Sequence, residues 1–131
     1  MMKGVMSEED LLLTEDAGRA CGFNVFRYAV RDTTMIHRLL NASGQSIVWN
    51  PLDPCTLDHF HFHILVHVQS DMVMRLTRSN GKTSIQFNFD HGAGGHATGN
   101  PLEAWLFCRA LTTAAAHYHR STFSKEVYED L

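Results

Sequence analysis

Asn80-Gly81 is the feature that most restricts what this chain can become, because that dipeptide between alternating apolar residues favours a type I′ hairpin turn. A two-residue loop there pairs Leu76 with Ile85, Met74 with Phe87 and Met72 with Phe89, so all six apolar side chains fall on one face. A second turn at Gln69-Ser70-Asp71 pairs Val68 with Met72, Val66 with Met74 and Ile64 with Leu76, and the same face emerges again. A one-residue slip at either turn would send these side chains to the opposite surface. Three strands, the first spanning about 60–68, are therefore expected.

The apolar face needs a cover. Asn100-Pro101-Leu102-Glu103 supplies an N-cap, a proline at the first helical position and an acid at the third. Leu102, Trp105, Leu106, Cys108 and Leu111 then form an apolar stripe, and Ala110 and Ala114 to Ala116 allow close approach. A charged tail from Lys125 to Leu131 is expected to fray. At the other end, Ser7-Glu8-Glu9-Asp10 before three leucines reads as a capped helix running to about Cys21, stopped by Gly22. Between them, a strand over 23–30 and a strand over 45–50 are expected; residues 33–40 read either as a short helix, the favoured reading, or as one arm of a hairpin turning at Asn41-Ala42-Ser43-Gly44. The glycine-containing stretch His91–Gly99 reads as a loop. The expected fold class is α+β: one antiparallel sheet of four to six strands, with the C-terminal and N-terminal helices covering one face. Residues 1–131, with 44% hydrophobic and 19% charged residues and 3 Pro, suit a single globular domain.

A formal charge of -3 gives no general attraction to nucleic acid or anionic membranes. Cys21, Cys55 and Cys108 are widely spaced and odd in number, which argues against a disulfide scaffold or thiolate zinc site and for a reducing, cytoplasmic location. No signal-peptide apolar region and no run of about 18 apolar residues is found.

Histidine is the unusual residue, with 9 in the chain. The register that turns Phe60 and Phe62 inward turns His59, His61, His63 and His67 outward, interrupted only by Leu65. Val73 and Arg75 are expected opposite them. Imidazoles at i and i+2 on a strand project in parallel, so His61 and His63, with His59 as a third ligand, could hold one divalent transition metal. Against this, Arg75 sets a fixed positive charge at the level of the ladder, and a one-sided sheet needs polar residues outside in any case. The other five histidines, including His96 and His117, read as loop or helix residues.

The run Asp58-His59-Phe60-His61-Phe62-His63-Ile64-Leu65-Val66 resembles the His-hydrophobic-His motif of the HUH endonucleases. That resemblance implies a metal on the histidine pair and a nucleophilic tyrosine, here Tyr118, on a later helix. Tyr118 is followed by His119-Arg120-Ser121 and so lacks a Tyr-x-x-Lys. The segment from Ser79 to His91 is similar to the hairpin of polo-box modules, which bind proteins. A thiol site of Cys21, His63 or His67, and Asn88 or Asp90 can also be written, but Cys21 falls at a helix C-terminus, where the dipole suppresses the thiolate.

The leading expectation is a small intracellular protein-binding or inhibitor-type module. It would use the outer face carrying His61, His63, Leu65, His67, Val73 and Arg75, or the sheet edge. The alternative is a metal-dependent nickase or hydrolase centred on His61 and His63. A protein partner is expected, a homodimer is compatible with the exposed edge, and neither nucleic acid nor membrane is favoured.

Overall fold

The computed structural model describes residues 6–53, 63–64, 72–89, 94–99 and 105–129, with side chains through residue 121. The chain is α+β. Helix α1 (Glu8–Ala20) leads into β1 (Val25–Val30), β2 (Thr33–Leu39) and β3 (Ser46–Val48), then β4 (Met72–Ser79), β5 (Lys82–Phe89) and β6 (Gly94–Gly99), and ends in α2 (Trp105–Glu129). Among the described residues the strands form two antiparallel three-stranded sheets, ordered β1-β2-β3 and β4-β5-β6, and not one larger sheet.

Helix α1 starts where its capping residues place it. The Ser7 side chain accepts from the Asp10 N–H at 3.1 Å, and three acids occupy the first turn. Gly22 ends it with φ of 84°, a left-handed conformation that costs glycine little. The helix docks on the first sheet through Gly18, because a Cβ there would meet Val25 Cγ1 at 2.6 Å and Trp49 Nε1 at 2.9 Å. Trp49 is fully buried, and its indole N–H donates to the Thr14 carbonyl at 2.9 Å, so the ring gains its burial without stranding a donor. At the solvent margin Arg27 of β1 reaches back to Glu8 and to the largely buried Glu15, each at 2.8 Å.

Residues 33–39 are a strand and not the favoured short helix; they form the alternative, a hairpin arm paired with β3 through Leu39 and Ser46. Arg31-Asp32 makes a two-residue turn with φ of 56° at Arg31, and Val30 then pairs with Thr33, Tyr28 with Met35 and Phe26 with His37. The turn carries none of the glycine or asparagine that normally marks positive φ. Its alternation of Phe26, Tyr28 and Val30 was the readable part. Residues 94–99, expected as loop, form β6, with Ala97 opposite Ile85 and Gly95 opposite Phe87.

The β4–β5 hairpin has the expected register: Leu76 faces Ile85, Met74 faces Phe87 and Met72 faces Phe89. Asn80 and Gly81 hold the turn with φ of 53° and 74°. The strand expected over 60–68 does not run through His63 and Ile64, which are helical, so Ile64 does not extend the hairpin as a partner of Leu76. Ile64 is nevertheless 1% exposed and belongs to the same core as Phe87 and Phe89. The rest of that segment, and the helix start at Asn100, lie outside the described residues.

Helix α2 lies over β5 and β6 rather than over the whole sheet. Phe107 meets Phe87 edge-on at 5.5 Å between ring centroids, and Tyr118 tilts against Phe89 at 5.1 Å. Contact is closest at Gly95, where a Cβ would meet the Ala114 nitrogen at 2.5 Å and the Ala110 carbonyl oxygen at 2.8 Å. Ala110 and Ala114 to Ala116 are fully buried between that sheet and α1. The helix continues to Glu129, through the segment expected to fray.

Candidate partner-binding surfaces

A single helix about 10 Å across covers two strands spaced near 4.8 Å, and β4 is the third. Its exposure follows. Met74 is 55% exposed and Leu76 53%, whereas Phe87 and Phe89 of β5, on the same face, are buried; Val73, on the opposite face, is 64% exposed. Met74 and Leu76 were expected under the helix. They share their face with the buried residues, but the cover stops short of them.

Among the described residues, only β5 pairs with β4. The two-residue turn makes Ser79 and Lys82 the closing pair, and hydrogen-bonded and non-hydrogen-bonded pairs alternate away from it. That alternation directs the backbone N–H and C=O groups of Met72, Met74, Leu76 and Arg78 away from β5, toward the outer edge. Arg75 lies on the opposite face from Met74 and Leu76, level with Gln86, and Val73 is level with Asn88. This polar face continues onto β6 through His96, opposite Gln86, and Thr98, whose hydroxyl is 3.1 Å from that of Ser84.

The expected histidine ladder is not placed as a strand face at its one described member. His63 meets the Phe23 ring edge-on at 5.3 Å, and Phe23 in turn meets Trp49 edge-on at 5.5 Å. The Arg38 guanidinium lies 4.3 Å from the Phe23 ring centre. His63 thus packs beside the first sheet, whereas Val73 and Arg75 belong to the second. His59, His61, Leu65 and His67 lie outside the described residues. No group of three or more His, Cys, Asp or Glu side chains suited to holding a metal occurs among the described residues.

A second apolar surface escaped the sequence reading. Phe26, Tyr28 and Val30 share a face of β1 with Met35 and His37 of β2 and Val48 of β3, through the observed pairings. Phe26 is 37% exposed, Tyr28 51%, Val30 46% and Val48 39%. The His37 ring stacks on Phe26 at 5.8 Å and lies 5.1 Å from Tyr28, with Nδ1 3.3 Å from the Ser46 hydroxyl. Alternation in Phe26-Arg27-Tyr28 was the available signal, but alternation alone does not tell which side a helix will cover.

Burial pushes the Cys21 thiol up to about 12, against an opposing pull from Arg38. A thiol held so far from ionisation is no nucleophile at neutral pH. No helix among the described residues is long and apolar enough to cross a membrane. Neither a protein-family model nor a curated protein nor a solved structure matches this chain.

Proposed function

We propose that this chain is a small protein-binding module that takes up an extended segment of a partner protein along the β4 edge. The observation that carries the reading is the exposure of apolar side chains on both faces of β4: Val73 on one, Met74 and Leu76 on the other. A strand with outward backbone donors and acceptors and apolar flanks is a template for strand addition, and folded proteins usually blunt such edges. Here the only charges on the strand are Arg75 and Arg78. They favour a segment that alternates apolar residues with acidic ones, the apolar set against Met74 and Leu76 and an acid near Arg75.

The proposal keeps Val73 and Arg75 as binding residues and adds Met74 and Leu76. An intracellular setting goes with it, since Cys21 is a free, buried thiol of the kind a reducing compartment preserves.

Selection of binders from a displayed random-peptide library tests the reading with defined probes. The expected winners alternate apolar and acidic residues, lose about tenfold or more in affinity against Arg75→Glu, and fail when N-methylated at alternate positions. Binders indifferent to Arg75→Glu and Leu76→Ser, or no binders at all, would overturn it.

A further inference from the structure

The two imidazoles that the tertiary structure brings to one cavity are His96 and His117. Strand β6 is the other edge of the second sheet, and α2 runs past it. Between them opens a cavity of about 550 Å³, lined by Gln86 and Asn88 of β5, His96 of β6, and Thr113, His117 and Arg120 of α2. Thr113, His117 and Arg120 are spaced i, i+4 and i+7, so they form one ridge of the helix. The volume is in the range that holds a small molecule.

The polar groups of this cavity are oriented before any ligand arrives. Nδ1 of His117 donates to the Gly94 carbonyl, because a carbonyl oxygen can only accept. The neutral ring therefore carries its lone pair on Nε2, an acceptor suited to a hydroxyl. Arg120 donates through Nε to Asp16 at 2.7 Å, which fixes the guanidinium plane and leaves both terminal nitrogens without a partner among the described residues. Asp16 also accepts from Arg19 at 3.1 Å, so its charge is shared between two arginines. The Asn88 carbonyl faces the Gln86 amide at 3.4 Å, leaving the Asn88 amide hydrogens as donors. Gly94 is needed for this, since a Cβ there would meet Asn88 Oδ1 at 2.5 Å. No carboxylate lines this cavity among the described residues; Glu9 and Asp16 line the adjoining space toward α1, which shares His96, Thr113, His117 and Arg120.

A planar pair of guanidinium donors matches a phosphate, and amide donors beside an imidazole acceptor match hydroxyl groups. We infer that this cavity binds a small hydroxylated phosphate monoester of the sugar-phosphate class, with the phosphate on Arg120 and a hydroxyl on His117 Nε2. The site lies at the β6 edge, across β5 from the strand assigned to partner binding, and stands independently of that assignment.

Glucose 6-phosphate, inorganic phosphate and glucose, titrated separately into the full chain at constant ionic strength, test the inference by NMR. Saturable shifts at the His96 and His117 rings and the Gly94 and Gly95 amides are expected, with glucose 6-phosphate tightest. Arg120→Gln should weaken glucose 6-phosphate and inorganic phosphate about tenfold or more and leave glucose unchanged. Gln86→Leu, on the exposed sheet face, should weaken glucose 6-phosphate without altering inorganic phosphate, and it supplies the test should Arg120→Gln not fold. Absence of saturable shifts up to about 10 mM, or phosphate binding that survives Arg120→Gln in a folded protein, overturns the inference.

Discussion

Cys21 shows how far a single side chain's chemistry depends on where the helix carrying it comes to rest. It caps α1 and is buried in the core beside Ile36 and Trp49, and burial raises its thiol to about 12 from an ordinary 9.0. The stability consequence has a definite sign. Above pH 9 the unfolded chain loses this proton and the folded chain keeps it, so the native state binds more protons and stability falls as pH rises toward 12. Urea midpoints measured between pH 9 and pH 11 should decline less steeply in Cys21→Ala than in the parent. Identical slopes would mean that the thiol is not withheld from water as described. Gly95 carries a different lesson at this scale: its missing side chain, unremarkable in a glycine-containing stretch, is what lets backbone meet backbone between β6 and α2.

At the scale of elements, the β4–β5 hairpin is regular in pairing and lopsided in burial. Met74 and Phe87 are direct cross-strand partners on the same face, yet Phe87 is 2% exposed and Met74 55%. Pairing follows from the turn, and burial follows from the helix, so the two need not agree. Phe87→Ala should cost about 3–5 kcal/mol, the range for emptying an aromatic core site, whereas Met74→Ala should cost under about 1 kcal/mol. Chemical denaturation of the two variants checks this directly. Comparable losses would place Met74 under a cover and remove the apolar flank on which partner binding is argued.

For the whole molecule, the arrangement of two three-stranded sheets leaves an apolar surface on each. Phe26, Tyr28, Val30 and Val48 make up one, and Met74 and Leu76 the other. Large exposed apolar patches are uncommon on isolated soluble domains and mark sites of association or aggregation. Replacing Phe26 and Tyr28 together with serine should lower the fluorescence of a bound apolar dye such as anilinonaphthalene sulfonate at least twofold, while shifting the melting temperature by only about 2–4 °C. Unchanged dye binding would show that this face does not offer apolar area to solvent.

Local chemistry was legible without the fold: the Ser7 cap and the Gly22 stop of α1, the Asn80-Gly81 turn, and the register from Met72 to Phe89. Each is decided by neighbours a few residues apart, through backbone conformation and short hydrogen bonds. The Arg31-Asp32 turn was not legible because an arginine holds its positive φ. Nor was β6, whose glycines resemble a linker. His63 could not be assigned from alternation, since period two in His61-Phe62-His63-Ile64 records polarity and not conformation. Tertiary structure alone decided that the described strands split into two sheets, that α2 stops short of β4, and that His96 and His117 meet at one cavity. Those outcomes depend on which surfaces helices of fixed width can cover and how closely backbones approach, and both are settled between residues distant in the chain.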